Sequence, residues 1–299
     1  MFKYLTISSF IILTFISEAA PDTQLLKTLD LERALFSEEY KDFTLGDRQA
    51  IYLVQENTTA IALGVAIMIP ESGRPIIGQK GLQPLANELN KLGWVTLLMP
   101  APEVGFLQLT TEPPANNTDQ EGTNVAPESM ANSDKTASIQ NISDLNKSAM
   151  TQLNPEAFSL HEKELIAILQ ESARQAANYP GFFIVIAQGT SAAWMTKIYS
   201  EKKLDIPDAL VTISPFWPER KLNDSLPLLM ANTPMPVLDL FSENDNSWAR
   251  QTVELRKISA TKSLKLQYRQ RSIMGYLYTQ QSNLYLSKEI YGWTTYMGW

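Results

Sequence analysis

Cysteine is absent from this 299-residue chain, and histidine occurs once, at position 161. No disulfide framework, thiolate metal site, thiol nucleophile or lipid-bearing cysteine is open to it. A Cys/His zinc site is excluded, and imidazole chemistry would have to come from His161 alone. Basic residues are in deficit: 25 Lys and Arg stand against 32 Asp and Glu, a formal charge of −7. That balance argues against nucleic acid as a general partner. No Gly-rich phosphate loop, internal repeat or paired-carboxylate signature stands out, so no cofactor and no resident metal are expected. What is present is a hydrophobic share of 44%, the composition of a globular protein of one large or two small domains.

The first 19 residues have the pattern of a secretory signal. Lys3 supplies a basic start, Tyr4 to Ile16 is an apolar stretch shorter than the roughly 20 residues of a membrane span, and Ser17-Glu18-Ala19 offers small residues where a peptidase cuts. Cleavage after Ala19 leaves a mature chain with no transmembrane span, exported to a periplasmic or extracellular location.

Between Ala101 and Pro155 the composition turns to Asn, Thr, Ser, Gln and Pro. Seven acidic and two basic residues put this stretch at −5, most of the chain's −7. Such a segment buries too little apolar surface to offset its ordering entropy. It is expected to be a disordered polar insert interrupting a single domain that runs from residue 20 to 299. Asn-x-Ser/Thr triplets at Asn116, Asn141 and Asn146 arise readily in such a composition.

Outside the insert, strand and helix patterns alternate. Ala50–Val54, Ile61–Ile69, Trp94–Met99, Phe182–Ala187, Ala209–Ile213, Pro236–Phe241 and Leu264–Tyr268 read as strands. Leu82–Leu92, Pro155–Asn178, Ser191–Ser200, Trp248–Ile258 and the segment from Leu284 onward read as helices, the first from apolar residues at helical spacing. The unbroken apolar run FFIVIA is that of a strand buried on both faces. Together these predict an α/β fold with a mostly parallel central sheet covered by helices on both faces. Ligands bind such folds at the carboxyl ends of the strands, so the residues just after each strand matter most.

Those residues resemble the α/β-hydrolase superfamily. FFIVIA running into Gln188-Gly189-Thr190-Ser191-Ala192-Ala193 is similar to its nucleophile elbow. IALGVAIMIP, a helix and GWVTLLMP resemble the elements before that elbow, and PMPVLDLFSENDNSW resembles the strand and turn that present the acid, with Asp245 in its place. More narrowly, the signal segment, GWVTLLMP, AQGTSAAW and the terminal IYGW resemble an exported bacterial branch of unknown function with a degenerate triad. The resemblance implies a hydrolase-like fold from about Ala50 to the C-terminus.

The elbow motif fits two registers. In Ala187-Gln188-Gly189-Thr190-Ser191 the nucleophile position is Gly189, which has no side chain. In Gly189-Thr190-Ser191-Ala192-Ala193 it is Ser191, and the strand must extend through Gln188. The first is favoured because the apolar run stops at Ala187; Ser191 then serves as a helix N-cap. A serine needs a base to attack near neutral pH, and the superfamily's histidine would follow the last strand. No histidine lies in the C-terminal third; His161 falls on the apolar stripe of an earlier helix with Phe158 and Leu165. Glu71-Ser72-Gly73-Arg74-Pro75 stands where a His-Gly pair often helps form the oxyanion hole. Asp245 is either a retained acid or part of a plain turn. The basic run Arg256, Lys257, Lys262, Lys265, Arg269 and Arg271 reads as a solvated face, and the aromatic C-terminus as packing on the sheet.

The function so expected is a non-catalytic binding or accessory role in the cell envelope. The partner would be an unidentified small molecule or envelope component, in a cleft lined by Gln188, Gly189, Thr190 and Ser191. The alternative is a weak or atypical esterase-like hydrolase using Ser191 and Asp245.

Overall fold

The structure, a computed structural model, describes residues 40–45, 48–78, 80–102, 107–109, 151–277 and 279–299, with residues 33 and 35. Residues 1–19, expected to be a signal segment, and most of the polar insert lie outside the described residues. The strands are β1 (Tyr40–Leu45), β2 (Arg48–Gln55), β3 (Gly64–Ile69), β4 (Trp94–Leu98), β5 (Leu107–Leu109), β6 (Thr151–Leu153), β7 (Phe182–Gln188), β8 (Ala209–Ile213), β9 (Val237–Ser242) and β10 (Tyr268–Ile273). The helices are α1 (Gln83–Asn90), α2 (Pro155–Ala176), α3 (Gly189–Ser200), α4 (Arg220–Asn232), α5 (Ser247–Gln251), α6 (Val253–Lys262) and α7 (Gln280–Tyr296). Eight strands form one sheet in the order β1-β2-β4-β3-β7-β8-β9-β10, antiparallel at β1/β2 and β2/β4 and parallel from β4 onward. The short strands β5 and β6 pair antiparallel, closing the base of the insert.

The expected architecture is present, and its cause is the alternation of apolar side chains in strands with no polar face. β3, β4 and β8 are buried throughout. On one face Val65, Ile67, Ile69, Val185 and Ala187 pack against Leu165, Leu169, Trp194 and Ile198 of α2 and α3. On the other, Ala66, Met68, Ile184, Ile186 and Val211 meet Leu85 and Leu89 of α1 and Ile290 and Trp293 of α7. At about 25 cal/mol per Å² of apolar surface removed from water, these two layers are the main favourable term in folding. Helix α2 starts where Asn154 Oδ1 accepts the N–H groups of Glu156 and Ala157, at 3.0 and 3.3 Å, with Pro155 in the first turn.

Several elements differ from the sequence reading. The last strand is Tyr268–Ile273, not Leu264–Tyr268: Leu264 and Leu266 are 80% and 93% exposed, and Leu264 sits in a left-handed turn with φ +52° after α6. The Leu-x-Leu-x-Tyr alternation imitated a half-buried strand, but β10 is an edge strand held by its ladder to β9 and by polar contacts. The helix expected over Trp248–Ile258 is two helices, α5 and α6, divided at Thr252. Helix α4 was not foreseen because Pro227 lies inside it, where a break is expected. The basic run is not uniformly solvated: Arg256 is fully buried. In the C-terminal segment Trp293 is buried and Trp299 stacks on Phe182, rings 4.4 Å apart, whereas Tyr296 is exposed.

Candidate functional site

Six parallel strands, β3, β4 and β7 to β10, end at the carboxyl edge of the sheet, and the candidate residues follow β3, β7, β8, β9 and β10. The chain leaves β7 at Gln188 in extended conformation and turns into α3 at Gly189, whose φ is +57°. A left-handed φ between a central strand and a helix defines the elbow, and only glycine adopts it without strain. Gly189 therefore stands at the sharp turn between strand and helix. Ser191 lies in the first turn of α3, 0% exposed, and its hydroxyl has no hydrogen-bond partner among the described residues. It caps nothing: the residue preceding α3 is Gln188, without a side-chain cap.

The side chain above the elbow comes from elsewhere. A Cβ built on Gly189 would stand 2.6 Å from Cγ, 2.7 Å from Cδ and 2.9 Å from Oε2 of Glu71, in the loop after β3. The Glu71 carboxyl thus fills the space a nucleophilic side chain would occupy. Arg74 Nε donates to Glu71 Oε2 at 2.8 Å, the Arg74 N–H donates to the Glu71 carbonyl at 2.9 Å, and the Ser72 N–H donates to Thr190 Oγ1 at 3.3 Å. The loop expected to depart from an oxyanion-forming His-Gly pair is instead a clamp on the elbow. Nothing in the local sequence announced it, since it joins residues 118 positions apart.

Asp245 lies in the turn after β9 and is also part of the site. Its Oδ2 accepts the Ser214 hydroxyl and, at 2.8 Å, the Ser242 N–H. Ser214, at the end of β8, is itself held at φ +50°. Burial pushes the Asp245 carboxyl above the ordinary carboxylate range; the two hydrogen bonds and Arg256 oppose that, and nearby Glu71 adds to it. Folding therefore favours the protonated form. The stability this contributes is present below the unfolded-state pKa and lost as pH rises through the folded one. Asp245→Asn, whose amide oxygen can accept both donors, is expected to be more stable than the parent at pH 7. The difference should close below about pH 4; thermal melts across pH check it, and a gap independent of pH would count against the burial account.

In place of the base, the segment after β10 is Met274-Gly275-Tyr276, tied to the acid turn by the Ser242 hydroxyl donating to the Gly275 carbonyl. His161 is buried on α2, stacked on Trp194 with ring centroids 5.2 Å apart. Its Nε2 lies 3.4 Å from Ser72 Oγ, at the long limit for a hydrogen bond, so it reaches the loop after β3. Gln188, Gly189, Thr190 and Ser191, expected to line a cleft, are all buried, and Glu71, whose side chain is 18% exposed, lies against Gly189. Among the described residues no group of three or more His, Asp or Glu is placed to hold a metal ion, and no helix is long and apolar enough to cross a membrane.

The family described as protein of unknown function (DUF3530) matches residues 13–295. The chain belongs to that family. Solved structures similar to this DUF3530 chain include Est1E from Butyrivibrio proteoclasticus, at 9% identity and TM-score 0.51 over 86% of this chain and 99% of that one. A putative dienelactone hydrolase from Klebsiella pneumoniae subsp. pneumoniae MGH 78578 is similar at 13% identity and TM-score 0.51, over 85% and 97%. Dienelactone hydrolase from Anabaena variabilis ATCC 29413 is similar at 11% and 0.50, over 86% and 98%. At such identities the likeness establishes the fold alone, and that fold is the α/β-hydrolase one. No curated protein matches the chain.

Proposed function

We propose that this DUF3530 member is an exported α/β-hydrolase-fold protein that binds a small molecule or envelope component without turning it over. The observation that carries this reading is Gly189 at the elbow with the Glu71 carboxyl in its side-chain space. Acyl transfer needs a nucleophile there, a base within hydrogen-bond reach and an acid behind it. Here the acid position keeps Asp245, the nucleophile position is bare, and no imidazole stands after β10. Loss of one triad member alone typically costs about 10⁴- to 10⁶-fold in rate. Ser191 offers no substitute, because a buried hydroxyl without an acceptor has nothing to take its proton. Export is supported by the basic, apolar and small-residue succession of the first 19 residues.

The test uses the full-length precursor expressed in a bacterium and the mature protein recovered from the extracytoplasmic fraction. That protein should begin at Ala20 and remain unlabelled by a fluorophosphonate probe while folded, as should Ser191→Ala. Covalent labelling mapped to Ser191 or Ser72 would overturn the non-catalytic reading, and an intact N-terminus in the cytoplasm would overturn export.

A further inference from the structure

We propose that the elbow is a binding cradle for the carboxylate of a small monoanionic ligand, and that Glu71 is its tethered internal occupant, displaced when the ligand enters. This rests on the non-catalytic reading above and names the ligand class of the same site. Three observations converge on it. First, the space a Gly189 side chain would take is filled by Glu71, whose carboxyl Cδ and Oε2 lie 2.7 and 2.9 Å from where a Cβ would stand. Second, the groups around that space favour negative charge. It adjoins the first residue of α3, a helix of 12 residues whose amino end carries partial positive charge, and Arg74 Nε holds the carboxylate at 2.8 Å. Third, the occupant is removable. The Glu71 carboxyl is the far end of a flexible side chain, partly open to solvent, on a loop pinned by Ser72 N–H to Thr190 Oγ1 and Arg74 N–H to the Glu71 carbonyl. The carboxyl can swing out by side-chain rotation while the backbone stays in place.

The shape and charge of the internal occupant set which anions fit. The Oδ2 atom of Asp245 is taken up by the Ser214 hydroxyl and the Ser242 N–H, so it completes no second arm of the cradle. The occupant itself is a planar, singly charged carboxyl held by one guanidinium, that of Arg74, so a group of that shape and charge fits the space. A monocarboxylate is therefore preferred over inorganic phosphate. Displacing Glu71 lowers apparent affinity by the fraction of time the cradle is self-occupied. Removing Glu71 should expose the intrinsic affinity.

The experiment follows Tm of the mature protein and of Glu71→Ala in sodium acetate, sodium chloride and sodium phosphate at matched ionic strength. Acetate is expected to raise Tm of Glu71→Ala saturably, with a half-effect at least about tenfold below the concentration the parent needs. Chloride and phosphate should give no saturable rise. Adding Arg74→Gln to Glu71→Ala should weaken the acetate response roughly tenfold. Equal shifts in acetate and chloride, or a parent response as strong as the variant's, would overturn the cradle. If Glu71→Ala does not fold, Glu71→Gln takes its place: a half-effect below the parent's supports the proposal, and an unchanged one overturns it. Fluorophosphonate labelling reports separately on catalysis, so an absent acetate response with no labelling rejects the cradle alone, whereas labelling rejects the reading beneath it.

Discussion

Arg256→Met is expected to destabilise the protein by about 3–5 kcal/mol, the range for removing one partner of a buried ion pair. Asp239 sits in the middle of β9 and Arg256 on α6, and both side chains are 0% exposed. Asp239 Oδ2 accepts Arg256 Nε at 2.8 Å, the Tyr268 hydroxyl at 2.7 Å and Gln270 Nε2 at 2.9 Å, while Oδ1 accepts Thr212 Oγ1 at 3.2 Å. The guanidinium also donates to Thr252 Oγ1 and to the Ala249 carbonyl. Without it a carboxylate remains in the core with only neutral donors around it. Burial and Asp239 together push the Tyr268 phenol well above its ordinary range, so that group cannot release a proton to relieve the site. Adding Asp239→Asn removes the stranded charge and still offers an oxygen to Tyr268 and Gln270. The double variant should recover part of the loss, with a coupling of about 1–3 kcal/mol. Urea unfolding measures this as shifts in midpoint at constant slope; strictly additive effects would show that the pair contributes no charge-specific interaction.

Gly189→Ser, the substitution that would restore a hydroxyl at the elbow, is expected to cost about 2–3 kcal/mol. A non-glycine residue at φ +57° costs roughly 1–2 kcal/mol by itself. Its Cβ would also fall 2.6 Å from Glu71 Cγ, an overlap relieved only if Glu71 withdraws from Gly189 and loosens from Arg74. That ion pair is partly solvated, so its loss adds at most about 1 kcal/mol. In a Glu71→Ala background the penalty should fall to the backbone part. An undiminished penalty there would mean that Glu71 does not occupy the elbow in solution. Neither variant is expected to gain esterase activity, since a serine at 189 would have no base; measurable ester hydrolysis above the parent would point to a proton acceptor at the site.

The readable and the unreadable parts of this fold divide along a physical line. FFIVIA could be read as a doubly buried strand because each residue's burial follows from its immediate neighbours, and the helix stripe carrying His161 is visible for the same reason. Strand β10 could not: its inner partner is the carboxylate of Asp239, so the contacts that hold Tyr268 and Gln270 are invisible until β9 is placed beside them. Arg256 reads as one member of a basic run for the same reason. At the site, the apolar run stops at Ala187 but β7 continues through Gln188, so the strand's end was not legible from the run, and neither was the occupant of the space above Gly189. Glu71 meets Gly189 only because β3 and β7 are adjacent parallel strands whose ends align, Ile69 opposite Ala187.

The amino-acid sequence by itself therefore determined the sheet-and-helix class, the lack of any thiol, and the absence of an imidazole from the C-terminal third, since each is a matter of composition or of contiguous periodicity. Only the tertiary structure decided that a glutamate stands in the nucleophile's space, that Ser191 is sealed from solvent and that an arginine is buried against the acid-bearing strand. Those outcomes depend on strand order and register, which bring together residues that have no neighbourhood along the chain.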